Sequence, residues 1–178
     1  MDGSFSKLGD IRVEANRVST QEISVRSATI FDASAILLLG RRAFDELQAK
    51  GVPIFPEDSG LLSTLADVVN NRFCFLAIDK RSGKAVGCIG AVPLRQWWSP
   101  KWTLQQAFWY VVPKHRKTRA GRMLMQALLI RAKEAGLPLF MFSLDGGANE
   151  QVMRRFMRGM GFTAIGGSYV ASTIEMGN

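Results

Sequence analysis

Apolar residues recur along this chain with two periods, one suited to strands and one to helices. Ile23 and Val25 alternate with polar neighbours, which predicts a strand over 23–27. Behind Asp32, a helix-capping residue type, Ile36, Leu37, Leu39, Ala43, Phe44 and Leu47 form a helical stripe that Gly51-Val52-Pro53 breaks. A second helix is expected over 57–70, with Leu61, Leu62, Leu65, Val68 and Val69 inward. Strands over 73–78 and 85–92 flank a turn-rich connection at 79–84 that suits a hairpin. A longer strand over 104–112 ends at Pro113, and Met123, Leu124, Ala127, Leu128 and Ile130 predict a helix over 120–135 stopped by Gly136. A buried strand over 138–144, a helix over 149–159 and closing strands over 162–165 and 168–172 complete the order βααβββαβαββ. The expected fold class is α/β: a mixed sheet packed against helices, spanning residues 21–178 as a single domain. Residues 1–20 are polar and aperiodic, and are expected to be a tail or loosely packed extension.

Composition narrows the function classes. With 178 residues, 47% of them hydrophobic, one well-buried core is affordable. No apolar run is long enough for a membrane helix, and Lys7, Arg12, Glu14 and Arg17 interrupt any signal core, so a cytoplasmic location is expected. The only cysteines, Cys74 and Cys88, lie in strand-like apolar runs and are expected as core residues in a reducing compartment. No Cys/His cluster has metal-ligand spacing, so no metal is expected. The formal net charge is +8, and not one Asp or Glu occurs from Arg81 to Lys133. Such a field attracts a polyanion, whether nucleic acid, anionic membrane or phosphorylated small molecule; a basic surface kept for solubility is the competing reading.

The densest part of that field is the turn Arg116-Lys117-Thr118-Arg119-Ala120-Gly121-Arg122, between a strand and a helix. Unpaired N–H groups at a helix start, aided by the helix dipole, hold phosphate. Gly121 permits close approach of the backbone, and Arg116, Lys117, Arg119 and Arg122 can add charge-assisted bonds. The turn is neither a Walker loop nor a dinucleotide fingerprint.

The stretch from Tyr110 through Pro113, Arg116 and Gly121 to Leu124 resembles the acetyl-CoA motif of the GCN5-related N-acetyltransferase (GNAT) family. That motif is written Gln/Arg-x-x-Gly-x-Gly/Ala after a strand ending Val-x-Pro; Arg116 and Gly121 occupy its first and last positions, and Arg119 replaces its first glycine. Asn149 after the next strand and Gly161-Phe162 closing the next helix continue the likeness. The resemblance implies a mostly antiparallel central sheet whose fourth and fifth strands splay apart around the pantetheine arm of acetyl-CoA. The arm would pair with backbone groups of Trp109, Tyr110 and Val111, and the pyrophosphate would lie on amides of residues 117–122, with Asn149 touching the arm. A primary amine would then attack the thioester directly; homodimers are common in the family.

The acid and base are less plainly written. The helix position at which the family often carries a tyrosine acid falls on Phe156 or Met157, depending on the landmark used. Tyr110 and Tyr169 are the only tyrosines. The stretch in which many members place a glutamate base reads Thr103-Leu104-Gln105-Gln106. Asp145 is the carboxylate best placed for a catalytic base, with capping of the Gly146-Gly147 turn as its competing role. Glu57 and Asp58 can recognise an amine or cap the second helix, and His115 can pack, contact a phosphate or serve as a base. Trp97, Trp98 and Trp102, with Arg95 and Lys101, can stack a nucleobase or line an apolar pocket, or else bury a dimer contact or cover the sheet edge. Three readings follow: an acetyl-CoA-dependent N-acetyltransferase, an acyl-CoA-binding module of the same fold without turnover, and a basic nucleic-acid-binding protein.

Overall fold

The computed structural model describes residues 22–54, 56–141 and 150–164. The tail at 1–20, the expected strand at 168–172, and Asp145, Asn149 and Tyr169 lie outside the described residues. Strands β1 (Ile23–Ser27), β2 (Cys74–Asp79), β3 (Ala85–Arg95), β4 (Trp102–Val111) and β5 (Leu139–Phe140) form one sheet in that spatial order. The first four are antiparallel neighbours, while β5 runs parallel to β4 and pairs Leu104 with Leu139 and Gln105 with Phe140. Helices α1 (Ala33–Gln48), α2 (Asp58–Asn70), α3 (Ala120–Glu134) and α4 (Glu150–Gly159) flank it, giving the mixed, mostly antiparallel architecture expected.

The period of two divides the sheet's side chains between two cores. Cys74, Leu76, Cys88 and Tyr110 point to one face, where Ile36 and Leu39 of α1 and Leu65 and Val68 of α2 cover them. Phe75, Ala77, Ile89 and Val111 point to the other, against Ala120, Leu124, Met125 and Leu128 of α3, with Phe156 and Met157 of α4 at its margin. Both cysteines are free and buried; burial pushes the Cys74 thiol up to about 12 and the Cys88 thiol higher still.

Three local readings are corrected. Asp32 precedes α1 but makes no cap bond to it. Its carboxylate instead accepts the Thr29 N–H at 2.8 Å and both terminal nitrogens of Arg26, at 2.8 and 2.6 Å, closing the short turn Ile30–Asp32. The third strand runs on through Pro93 to Arg95. Its pairing with β2 ends at Gly90, with one further bond from Ala91 N–H to the Phe73 carbonyl, so at Pro93 it is an edge that tolerates a missing N–H. Residues 162–164 follow α4 without strand structure, and the remainder of the strand expected at 162–165 lies outside the described residues. Among the described residues, no helix is long and apolar enough to cross a membrane.

Candidate functional site

β4 and α3 place the candidate site, and the connection between them is wound tightly by its own bonds. His115 N–H donates to the Val112 carbonyl at 2.9 Å, Arg116 N–H to Pro113 at 3.2 Å, and Thr118 N–H to His115 at 3.0 Å. The Thr118 hydroxyl donates to the His115 carbonyl at 2.7 Å and accepts the Ala120 N–H at 3.1 Å, so a threonine side chain fixes where α3 begins. The amides of Lys117, Arg119, Gly121 and Arg122 have no partner among the described residues. They lie at the positive end of α3, beside the exposed side chains of Lys117, Arg119 and Arg122, and α3 has no acidic residue in its first turn. A concentration of donors and positive charge at a helix start accepts an anion.

Arg116 behaves differently from its basic neighbours. Its Nε donates to the Val111 carbonyl at 2.9 Å, and its Nη2 donates to Oε2 of Glu46, near the end of α1, at 2.5 Å. The other Glu46 oxygen accepts the Tyr110 hydroxyl at 2.7 Å. One carboxylate thus joins α1, β4 and the basic turn. Burial works to raise the Glu46 carboxyl, but hydrogen bonds from Arg116 and Tyr110 outweigh it and hold the group below the usual range. Burial and then the Glu46 bond push the Tyr110 hydroxyl up to about 12. Glu46 is therefore a fixed charge, and Tyr110 a spent donor, in this arrangement. The sequence gives no local sign of the triad, because its members are separated by 64 and 70 positions.

The strand before the turn is irregular where it matters. Gly90 pairs with Phe108 and Ala91 with Gln106, so Ala107 is an extra residue on β4 and forms a bulge absent from the sequence reading. Beyond it, Val112 N–H bonds the Val86 carbonyl at 2.9 Å. By strand alternation Tyr110 also turns its backbone groups to β3, while Trp109 and Val111 turn theirs to the edge shared with β5. The Trp109 side chain lies on the α3 face, stacked on Phe156 of α4 with ring centroids 5.6 Å apart. The Arg122 guanidinium covers Phe156 at 5.7 Å.

Other sequence candidates lie elsewhere. Asp58 is held by Arg41 at 2.7 Å on the α1–α2 surface, and Glu57 occupies the α2 N-cap position without a side-chain cap bond. Trp97 and Trp98 are exposed and meet edge-on, and Arg95 covers Trp102 at 4.8 Å. No group of three His, Cys, Asp or Glu able to hold a metal occurs among the described residues.

Comparison with known proteins bears on this geometry. A family model described as the acetyltransferase (GNAT) family matches residues 41–162. A solved structure of AAC(6')-Iy with the bisubstrate analog CoA-S-monomethyl-acetylneamine shares 13% identity and a TM-score of 0.62, over 85% of this chain and 98% of that one. An aminoglycoside acetyltransferase from an uncultured soil metagenomic sample, solved with sisomicin, shares 16% identity and a TM-score of 0.60, over 86% and 98%. Arabidopsis thaliana Naa50 with the bisubstrate analogue CoA-Ac-MVNAL shares 15% and a TM-score of 0.57, over 78% and 82%. At these identities the likeness is one of fold, and no curated protein sequence matches the chain. The family match covers the turn, the strand before it and the helices on both sides: the chain belongs to the acetyltransferase (GNAT) family.

Proposed function

We propose that this protein, with residues 21–178 as one acyltransferase domain, transfers an acetyl group from acetyl-CoA to a primary amine by direct attack on the thioester. The observation that carries this reading is the set of unpaired amides at Lys117, Arg119, Gly121 and Arg122, on a basic turn at the end of β4. These donors suit a pyrophosphate, with the side chains of Lys117, Arg119 and Arg122 adding charge. Thr118 and Ala120 contribute shape, since their own N–H groups are bonded within the turn and Ala120 is buried. The outward backbone groups of Trp109 and the N–H of Val111 suit the amides of the pantetheine arm, the Val111 carbonyl being taken by Arg116 Nε. Tyr110 acts through its hydroxyl on Glu46 and Arg116 acts on the turn's position, a division of labour finer than the sequence suggested.

In the reaction proposed, the amine nitrogen bonds to the thioester carbon, the carbon–sulfur bond breaks, and the thiolate takes a proton from solvent. Asp145 would receive the amine's proton, and Asn149 would touch the arm. Such a site works mainly by positioning, so it does not require a strong acid. Structural neighbours solved with CoA-linked acetylneamine and CoA-Ac-MVNAL analogues support an acyl-CoA donor and an amine acceptor.

A second reading, an acyl-CoA-binding module without turnover, is favoured by one observation: neither Phe156 nor Met157 carries a proton to donate, and Tyr110 is committed to Glu46. Coenzyme A release from acetyl-CoA, measured across polyamines, aminoglycosides, amino acids and peptides, decides between them. Release with an amine supports transfer; acetyl-CoA binding with no release from any amine supports the module. Salt-dependent DNA or RNA binding that acetyl-CoA does not displace would move the assignment to nucleic acid.

A further inference from the structure

The indole nitrogen of Trp109 is buried and has no hydrogen-bond partner among the described residues. A buried donor left without an acceptor costs free energy comparable to a lost hydrogen bond, so such groups call for a partner. Two contacts define its surroundings. A Cβ built on Gly121 would lie 3.4 Å from Cζ2 of Trp109, the ring carbon on the same edge as the nitrogen, so that edge runs beside the start of α3. One face of the ring is stacked on Phe156 of α4. The donor therefore sits among β4, the basic turn and α4, in the region where β4 turns its free backbone groups outward.

We propose that the Trp109 indole N–H donates a hydrogen bond to a carbonyl oxygen of the acyl-pantetheine arm, an inference that rests on the coenzyme reading above. The indole is not an acid, and it gives up no proton. It supplies a fixed donor on a side of the site where Phe156 supplies none, and the Phe156 stack together with the glycine at 121 sets its position. Gly121 borders both features: its amide has no partner among the described residues, and its Cα side stands in contact range of the indole.

The test uses the full chain and titration calorimetry with three ligands. Acetyl-CoA and coenzyme A carry the arm, whereas 3′,5′-ADP carries only the nucleotide end. Trp109→Phe is expected to weaken acetyl-CoA about three- to tenfold, the worth of one net hydrogen bond, and to leave 3′,5′-ADP unchanged. An equal loss for coenzyme A places the acceptor among the arm's amides, and a loss confined to acetyl-CoA places it at the thioester. In wild-type protein with 15N-labelled tryptophan, acetyl-CoA should move the Trp109 indole proton downfield while 3′,5′-ADP does not; this readout does not depend on the variant's folding. Binding of acetyl-CoA with no movement of that signal, or equal losses for all three ligands, overturns the Trp109 assignment and leaves the coenzyme reading standing. Failure of wild-type protein to bind any of the three overturns both.

Discussion

Replacing Glu46 by alanine removes two bonds at once, and the two are worth different amounts. Tyr110 is buried, so its hydroxyl loses its acceptor where water does not easily replace it, at about 1–3 kcal/mol. Arg116 keeps nearly half its side-chain surface in solvent, at 45% exposed, so losing its ion pair adds no more than about 1 kcal/mol. Glu46→Ala should therefore cost about 2–3 kcal/mol, a drop of about 5–10 °C in melting temperature for a chain of this size. Tyr110→Phe alone should cost about 1 kcal/mol in wild-type protein, by removing one good bond. In the Glu46→Ala background the same change deletes a stranded hydroxyl and should restore about 1 kcal/mol. That reversal of sign, read by urea unfolding of the four proteins in a double-mutant cycle, is the signature of the triad. Additive losses with equal m-values would refute it and reduce Glu46 to a surface charge.

Other expectations are independent of that cycle. Asp32→Asn should cost about 1–2 kcal/mol at neutral pH, discounted because Arg26 is half exposed. Hydrogen bonds from Arg26 hold the Asp32 carboxyl far below its usual range despite burial, so its contribution is present at neutral pH and is lost as pH falls. The gap between wild type and Asp32→Asn should hold from pH 7 to about 5, begin to narrow near pH 4, where the unfolded carboxyl titrates, and close progressively as pH falls further toward the depressed value of the folded carboxyl, as measured by chemical denaturation. Cys74 and Cys88, buried with raised thiols, should resist a disulfide-exchange reagent at pH 8 and both react after unfolding; fast reaction in the native state would contradict their burial. Lys117→Gln and Arg119→Gln should each weaken acetyl-CoA binding about three- to tenfold at low salt, with the difference fading toward 0.5 M salt as screening grows. Arg116→Gln, acting through the position of the turn, should weaken binding with an unchanged salt dependence; a flattened dependence would place Arg116 on the ligand.

How far the sequence reaches depends on the range of the interaction that decides each feature. The hairpin at 79–84, the stripe on α1 and the glycine ending α3 are local, and they were legible because residues a few positions apart settle them. Gly136 adopts a positive φ, 66°, with Leu137 N–H bonding the Ala132 carbonyl, as a helix stop of that type requires. The third strand runs three residues past its expected end at 92, because whether a proline such as Pro93 fits a strand depends on having a neighbour on the side its nitrogen faces. The Ala107 bulge is a mismatch between two strands and is invisible in either alone. The sum of the charges is legible in the sequence, but their pairing is not. Arg116 is neutralised by Glu46 from outside the acid-free stretch, Arg95 covers Trp102, and Arg131 covers Phe73 at 5.2 Å. The cations remaining around the turn are those nearest the unpaired amides.

The central claim is that the start of α3 holds the coenzyme's pyrophosphate, and Gly121→Glu isolates it. A glutamate in the first helical turn favours the helix dipole, and its Cβ would meet Trp109 at 3.4 Å, a contact rather than an overlap, so the variant should fold. Its carboxylate would occupy the place proposed for the phosphates. Thermal denaturation of both proteins with and without acetyl-CoA at about one hundred times its dissociation constant should raise the wild-type melting temperature by about 5–10 °C. The account predicts that rise in the wild type and none in Gly121→Glu; no rise in the wild type, or an equal rise in both, would contradict it.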